Sequence, residues 1–149
     1  MELIEVRGGD KELIDEIVYI EEEAFGKNGG VDEWILKPMV RYGKVFVLKD
    51  GNRIVSIAEF IQRFNSKEVF LYGLCTRKES RGKGYASEIL RRSEEFFRNR
   101  SIDEVGLTVA PDNMAAIALY KNLNYDVVEL QKDEYGRGVD RLFMKKKIK

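Results

Sequence analysis

The sequence predicts an α+β domain, a mixed sheet of about seven strands covered by about four helices. Two rhythms predict it. From Lys44 to Thr76, β-branched and aromatic runs alternate with turn residues, which reads as an antiparallel meander. From Gly84 onward, helical and strand patterns alternate, which brings helices onto that sheet. The 149 residues suit one domain spanning 1–149.

Each element has its own signal. Leu3 to Arg7 reads as a first strand, broken by Gly8-Gly9, with Asp10 as a helix N-cap. Leu13, Ile14, Ile17, Val18, Ile20, Ala24 and Phe25 recur near helical spacing, and a loop from Gly26 to Gly30 ends that helix. Asp32 caps a second helix, which Pro38 should bend or end. Lys44 to Lys49 and Arg53 to Phe64 are strands joined at Asp50-Gly51, and Glu68 to Thr76 is the next. A helix from about Gly84 to Arg98 presents Ala86, Ile89, Leu90, Ser93 and Phe97 on one face. Glu104 to Val109 is a strand, Asn113 caps a last helix, and Tyr125 to Gln131 and Val139 to Lys147 complete the sheet.

Composition removes several chemistries. There is no histidine, so neither a Ser-His-Asp mechanism nor a His-ligated zinc site can be assembled from this chain, and no metal is expected. One cysteine, Cys75, allows no intrachain disulfide; without a histidine to activate it, it reads as a small buried residue. Twenty-six basic residues balance twenty-six acidic ones, which argues against a nucleic-acid partner bound through bulk charge. Lys145-Lys146-Lys147 reads instead as a solvated edge that discourages sheet pairing. The acidic start and the lack of an apolar run of about 18 residues point to a soluble cytoplasmic protein with no membrane partner.

The strongest local signal is Arg81-Gly82-Lys83-Gly84-Tyr85-Ala86, between a strand and a helix. Glycines let backbone approach a ligand closely, and the first amides of a helix attract anions. Arg81 and Lys83 add positive charge. Ser87 stands where a dinucleotide fingerprint needs its third glycine, and the Walker A spacing is absent. A phosphate or pyrophosphate in some other fold is therefore the natural ligand.

The run from Leu71 to Leu90 resembles the acetyl-CoA-binding motif of the GNAT acetyltransferase superfamily, with Arg81, Gly84 and Ala86 filling its pattern. Leu107 to Tyr125 resembles the family's next motif through Asn113, Ala116, Leu119 and Tyr120, with Asn124-Tyr125 in place of Gly-Phe. There is a looser similarity to ribosomal-protein N-terminal acetyltransferases near Ile117–Tyr120 and Tyr135, but Thr108 stands where those enzymes tend to carry Glu.

The resemblance implies a central parallel pair of strands that splays near Leu74 and Leu107, with acetyl-CoA as co-substrate in the gap. It implies that backbone at Leu74, Cys75 and Thr76 binds pantetheine and polarises the thioester. The amides of Gly82, Lys83, Gly84, Tyr85, Ala86 and Ser87 would hold the pyrophosphate beside Arg81. A primary amine, on a small molecule or on a protein or peptide, would attack directly. Tyr120 would protonate the leaving thiolate, or serve as a packed ring. Asn113 would cap its helix, bond the pantetheine arm, or both. Glu59 is the candidate base, with an outward-facing carboxylate or relaying water as alternatives. Tyr72 and Tyr135 are candidate acceptor contacts, packing being the ordinary role for Tyr72. Family members often dimerise through their C-terminal strands, so a homodimer is open. A non-catalytic CoA-binding sensor and a phosphate-binding interaction domain remain the alternatives in function.

Overall fold

Runs of Val, Ile, Phe and Leu between turn residues set the strands, and their two-residue period decides which layer each side chain enters. In this computed structural model, which describes residues 1–27 and 29–149, the elements are β1 (Glu2–Glu5), α1 (Lys11–Phe25), α2 (Glu33–Tyr42), β2 (Lys44–Asp50), β3 (Arg53–Gln62), β4 (Glu68–Thr76), α3 (Tyr85–Arg98), β5 (Glu104–Val109), α4 (Met114–Asn122), β6 (Asp126–Gln131) and β7 (Arg141–Lys147). Asn28, within the loop expected after the first helix, lies outside the described residues. A short 3-10 turn, Lys78–Ser80, joins β4 to α3.

The strands form one seven-stranded sheet in the order β1-β2-β3-β4-β5-β7-β6. Every neighbouring pair is antiparallel except β4–β5. Along β2, Val45 and Val47 pack toward α1 and α2, while Phe46 and Leu48 pack toward α3 and α4. The sheet thus carries a core on each face. Ile14, Ile17, Ile20, Leu36 and Met39 close one, and Ile89, Leu90, Phe97, Ile117 and Leu123 close the other. Among the described residues, no helix is long and apolar enough to cross a membrane.

Of the two outcomes open to Pro38, ending the helix does not occur: α2 runs on to Tyr42, with Leu36 and Met39 buried on either side of the proline. Burial of that face carries the helix through the hydrogen bond that proline cannot make. Two local expectations are corrected. Asp10 precedes α1, but its carboxylate does not cap the helix; it accepts from Arg7 N at 3.2 Å and closes the preceding turn. β7 is not an edge, because it lies between β5 and β6. Its lysines are spent on neighbours: Lys145 reaches Glu68 at 2.9 Å and Glu104 at 3.2 Å, and Lys146 reaches Glu94 at 2.5 Å. Asp32 caps α2 as expected, accepting from Ile35 N at 2.9 Å.

Candidate active site

β4 and β5 pair over only four rungs, from Glu68↔Glu104 to Leu71↔Leu107, and then part. On its other side β4 stays paired with β3 up to Thr76, through an irregularity at Glu59/Phe60 that leaves Tyr72 as the extra residue. Beyond it, Arg77 N donates to Val55 O at 2.9 Å, and Cys75 O accepts from Ser56 Oγ at 3.0 Å. Main-chain groups two residues apart on a strand point the same way. Cys75 and Arg77 therefore face β3, and the N–H groups of Leu74 and Thr76 face the opening.

That opening holds a cleft of about 910 Å³. At one end lies the α3 N-terminus, reached through Gly82 and Gly84 at φ +75° and +83°. A Cβ at either would meet nothing within 4 Å, so the left-handed backbone, not crowding, selects glycine there. The first amides of α3 have no partner within the helix and carry the positive end of its dipole. Tyr85 Oη donates to Asp50 Oδ2 at 2.6 Å, tying the start of α3 to the β2–β3 turn. Arg81 Nε donates to Thr76 O at 3.3 Å across the opening.

The cleft brings together Tyr72, Leu74, Thr76, Arg81, Gly82, Gly84, Tyr85, Ala86, Ser87, Asn113 and Tyr120. Two expected residues stand apart. Lys83 is exposed and does not line the cleft. The Cys75 side chain packs with Ile14, Ile17 and Ile57 on the other face and its main-chain groups point to β3, so Cys75 does not line the cleft. Burial first, then the charges of Glu21 and Glu59, push its thiol up to about 12. A thiol so held stays protonated and is not a nucleophile at neutral pH.

Asn113 divides its amide between two tasks. Oδ1 accepts from Ala116 N at 3.1 Å as the N-cap of α4, which leaves the NH₂ group for the cleft. Tyr120, on α4, is mostly buried, with its ring edge-on to Tyr125 at 5.8 Å. Burial pushes its phenol up to about 12, partly opposed by Arg141. It is therefore a protonated donor throughout the neutral range.

A second cavity of about 340 Å³ opens on the α1 side and shares Phe25, Tyr72, Gly73, Thr108 and Arg141 with the cleft. Tyr135 lines this cavity, with its ring 5.6 Å from the Arg141 guanidinium. Arg141 Nε and Nη2 donate to Thr108 Oγ1 at 3.2 Å and to Thr108 O at 3.0 Å. Glu59 does not face outward, contrary to one alternative for it. It is 0% exposed, and neither of its oxygens has a hydrogen-bond donor among the described residues. Burial and the neighbouring Glu21 push its carboxyl well above the usual range. Glu21, 2% exposed, lines the second cavity, and its Oε1 also lacks a donor.

Glu21, Phe25 and Arg141 were missed by sequence reasoning. Glu21 had a usable signal: it follows Ile14 by seven residues and Ile17 by four, which puts a carboxylate on the apolar stripe of α1. Arg141 had none, because its place depends on β5 and β7 becoming neighbours.

Known proteins resemble this chain in sequence and in fold. N-alpha-acetyltransferase 30 of Schizosaccharomyces pombe is 28% identical over 83 residues, 54% of this chain and 55% of that protein, so the match spans about half of the relative's length. The ribosomal-protein-S18-alanine N-acetyltransferase of Escherichia coli superposes with a TM-score of 0.81 at 19% identity, covering 99% of this chain and 93% of the other. An aminoglycoside 6'-N-acetyltransferase complexed with coenzyme A superposes with a TM-score of 0.85 at 14% identity, covering 100% and 98%. At such identities the two structures share the fold. The match that identifies this chain lies in its sequence: residues 14–125 fit the acetyltransferase (GNAT) family, and the chain belongs to that family.

Proposed function

We propose that this protein transfers an acetyl group from acetyl-CoA to a primary amine that attacks directly. The reading rests on one observation: the open edge of β4, the α3 N-terminus and Tyr120 line a single cleft. Bound acetyl-CoA would supply the activated acetyl group. The Gly82–Ser87 amides and Arg81 would hold its pyrophosphate. The Leu74 N–H would donate to the thioester carbonyl as negative charge develops there, and Thr76 N–H and the Asn113 NH₂ would hold the pantetheine arm. Tyr120 would give its proton to the departing sulfur. Glu59, Glu21 or water would take the proton that the amine gives up.

The acceptor would enter from the α1 side, past Phe25, Tyr72 and Tyr135. Structural neighbours are named for amines on a ribosomal protein and on aminoglycosides, so both acceptor classes suit the fold. A homodimer would use β6, an edge strand with Val127, Val128 and Leu130 exposed, and the enzyme would act in the cytoplasm.

The test is free-thiol release from acetyl-CoA in the presence of a tripeptide, 2-phenylethylamine or spermidine, with calorimetry of acetyl-CoA binding alone. Thiol release that depends on an amine is expected. Tight binding without release from any amine would favour a CoA-binding sensor. No binding at all would sink the assignment of the cleft.

A further inference from the structure

One buried acid lines the second cavity and another lies behind it. Glu59 projects from β3 toward α1, on the same face as Ile57, and Glu21 projects from α1 to meet it. Both are at least nine-tenths buried, both have oxygens without a donor, and the two carboxyl groups are neighbours in the fold. Two ionised carboxylates so placed would repel in a medium of low dielectric. One proton between them removes the repulsion and lets one carboxyl donate a hydrogen bond to the other.

Backbone makes room for the pair. A Cβ on Gly73 would lie 2.6 Å from Glu59 Oε2, and one on Gly30 would lie 3.0 Å from Glu21 Oε2. The two members differ in access. Glu21 lines the cavity, whereas Glu59 is sealed behind it. Among the described residues, no group of three potential metal-ligating side chains occurs, so the pair offers too few ligands for a resident cation.

Resting on the acetyl-transfer reading above, we propose that Glu21 binds the acceptor as an ammonium and takes its proton, while Glu59 is the positioning residue that donates a hydrogen bond to Glu21. The proposal moves the role of base from Glu59 to Glu21. The same site selects an amine with one positive charge and an apolar body. A pair holding one proton carries one negative charge. The cavity adds Arg141 and walls of Phe25, Val31, Phe70, Tyr72 and Tyr135, with Glu21 as its one acid among the described residues. A second ammonium would meet no counter-ion there.

The proton balance is closed. The ammonium gives one proton to Glu21, leaving a neutral amine and a doubly protonated pair. The amine lone pair forms the N–C bond as the C–S bond breaks. Tyr120 protonates the sulfur, and the second amine proton returns to Tyr120. The pair then releases one proton to water. Other ionisable groups around it are Glu23 on α1, Tyr72 and Cys75 on β4, Arg81 after β4, Tyr135, and Arg141 on β7; β2 contributes only the apolar Val45 and Val47.

The test uses the full chain with ¹³C-labelled glutamate. In the wild type, the Glu59 carboxyl should keep its proton well above the ordinary carboxyl range, and Glu21→Gln should lower its titration range. 2-Phenylethylamine alone should shift Glu21 more strongly than spermidine does. A Glu59 carboxyl that titrates in the ordinary range, or that ignores Glu21→Gln, would overturn the proposal, as would an equal or stronger shift of the Glu21 signal with spermidine. In kinetics with 2-phenylethylamine, Glu21→Gln should lower kcat/KM by about 10²-fold or more while acetyl-CoA affinity is kept. Glu59→Gln still donates to Glu21, so the acidic limb of its kcat/KM should stay close to that of the wild type. Glu59→Leu cannot donate, so the acidic limb of kcat/KM should move to higher pH. A dead Glu59→Gln with active Glu21→Gln would return the base to Glu59. Loss of acetyl-CoA binding in the wild type would remove the acetyl-transfer reading, but the carboxyl titration would still decide the pair.

Discussion

Gly73 and Glu59 face each other across β4 and β3 so closely that a Cβ on the glycine would lie 2.6 Å from Glu59 Oε2. The glycine is needed for space, since its φ is not in the left-handed region. Both residues sit at the irregularity where β4 begins to leave β5. Gly73→Ala should push a buried carboxyl group out of place and cost about 1–3 kcal/mol, as overpacking does. Urea denaturation should show a lower midpoint with an unchanged slope. An equal midpoint would mean that Glu59 has another place to go.

Gly84 is needed for the opposite reason. It has space around it but a φ of +83°. Gly84→Asp should strain the turn and set a negative charge at the α3 N-terminus, where the pyrophosphate is proposed to lie. Acetyl-CoA affinity should fall at least tenfold, about 1.4 kcal/mol or more. Calorimetry on the folded variant would show this. Unchanged affinity would place the pyrophosphate elsewhere.

How far the sequence carries the fold depends on the range of the interactions. The strands from Lys44 to Thr76 announced themselves because turn residues and period-two runs act locally. The Arg81–Ala86 loop did so because its glycines have a local backbone task. Lys145 and Lys146 were misread because their partners, Glu68, Glu104 and Glu94, lie on other elements. Pro38 does not end its helix because a buried face outweighs one missing hydrogen bond. Glu59 could be picked out as an acid in an apolar run, but its partner Glu21 lies 38 positions away and meets it only after α1 docks on the sheet.

Stability should vary with pH through Glu59. Its carboxyl is held well above the usual range in the folded state, by burial first and by Glu21 next. The folded protein therefore keeps a proton that the unfolded chain releases above about pH 4.3. Between there and the raised folded value, the folded state binds more protons, so stability falls as pH rises. The slope from this one group is at most about 1.4 kcal/mol per pH unit. Glu59→Gln should flatten that decline and leave the variant the more stable form at neutral pH. Urea midpoints measured across pH 4–8, about the window named, should converge at the acidic end. Parallel curves for the two proteins would mean that Glu59 is ionised in the fold.

The lysine tail has a structural duty. Lys146 Nζ lies 2.5 Å from Glu94 Oε1, and Tyr125 Oη donates to Glu94 Oε2 at 3.0 Å. Glu94 is 3% exposed. Lys146→Met would leave a buried carboxylate with only the tyrosine, a loss of about 3–5 kcal/mol. Adding Glu94→Gln should recover much of it, since the amide carries no charge and still accepts from Tyr125. Thermal or urea unfolding of both variants decides this. A single variant of full stability would make Lys146 a surface residue in energetic terms.

Tyr120 tests the chemistry itself. Its ring packs edge-on against Tyr125, and the residue lines the cleft. Burial raises the phenol to about 12, so it stays protonated where the enzyme would work. That rise also makes it a weaker acid than a free phenol. It suits a donor that must not lose its proton before sulfur becomes negative. Tyr120→Phe keeps the ring and removes only that proton. General acids contribute about 10²–10⁴-fold in rate, and a thiolate is not a poor leaving group, so a loss near the lower end is expected. The loss should fall on kcat, because the bond matters as charge develops on sulfur and little before. Rates taken with saturating 2-phenylethylamine, beside acetyl-CoA affinity by calorimetry, separate the roles. A kcat near that of the wild type would leave Tyr120 as packing for Tyr125. Weakened affinity at full kcat would make its hydroxyl a contact to the bound co-substrate.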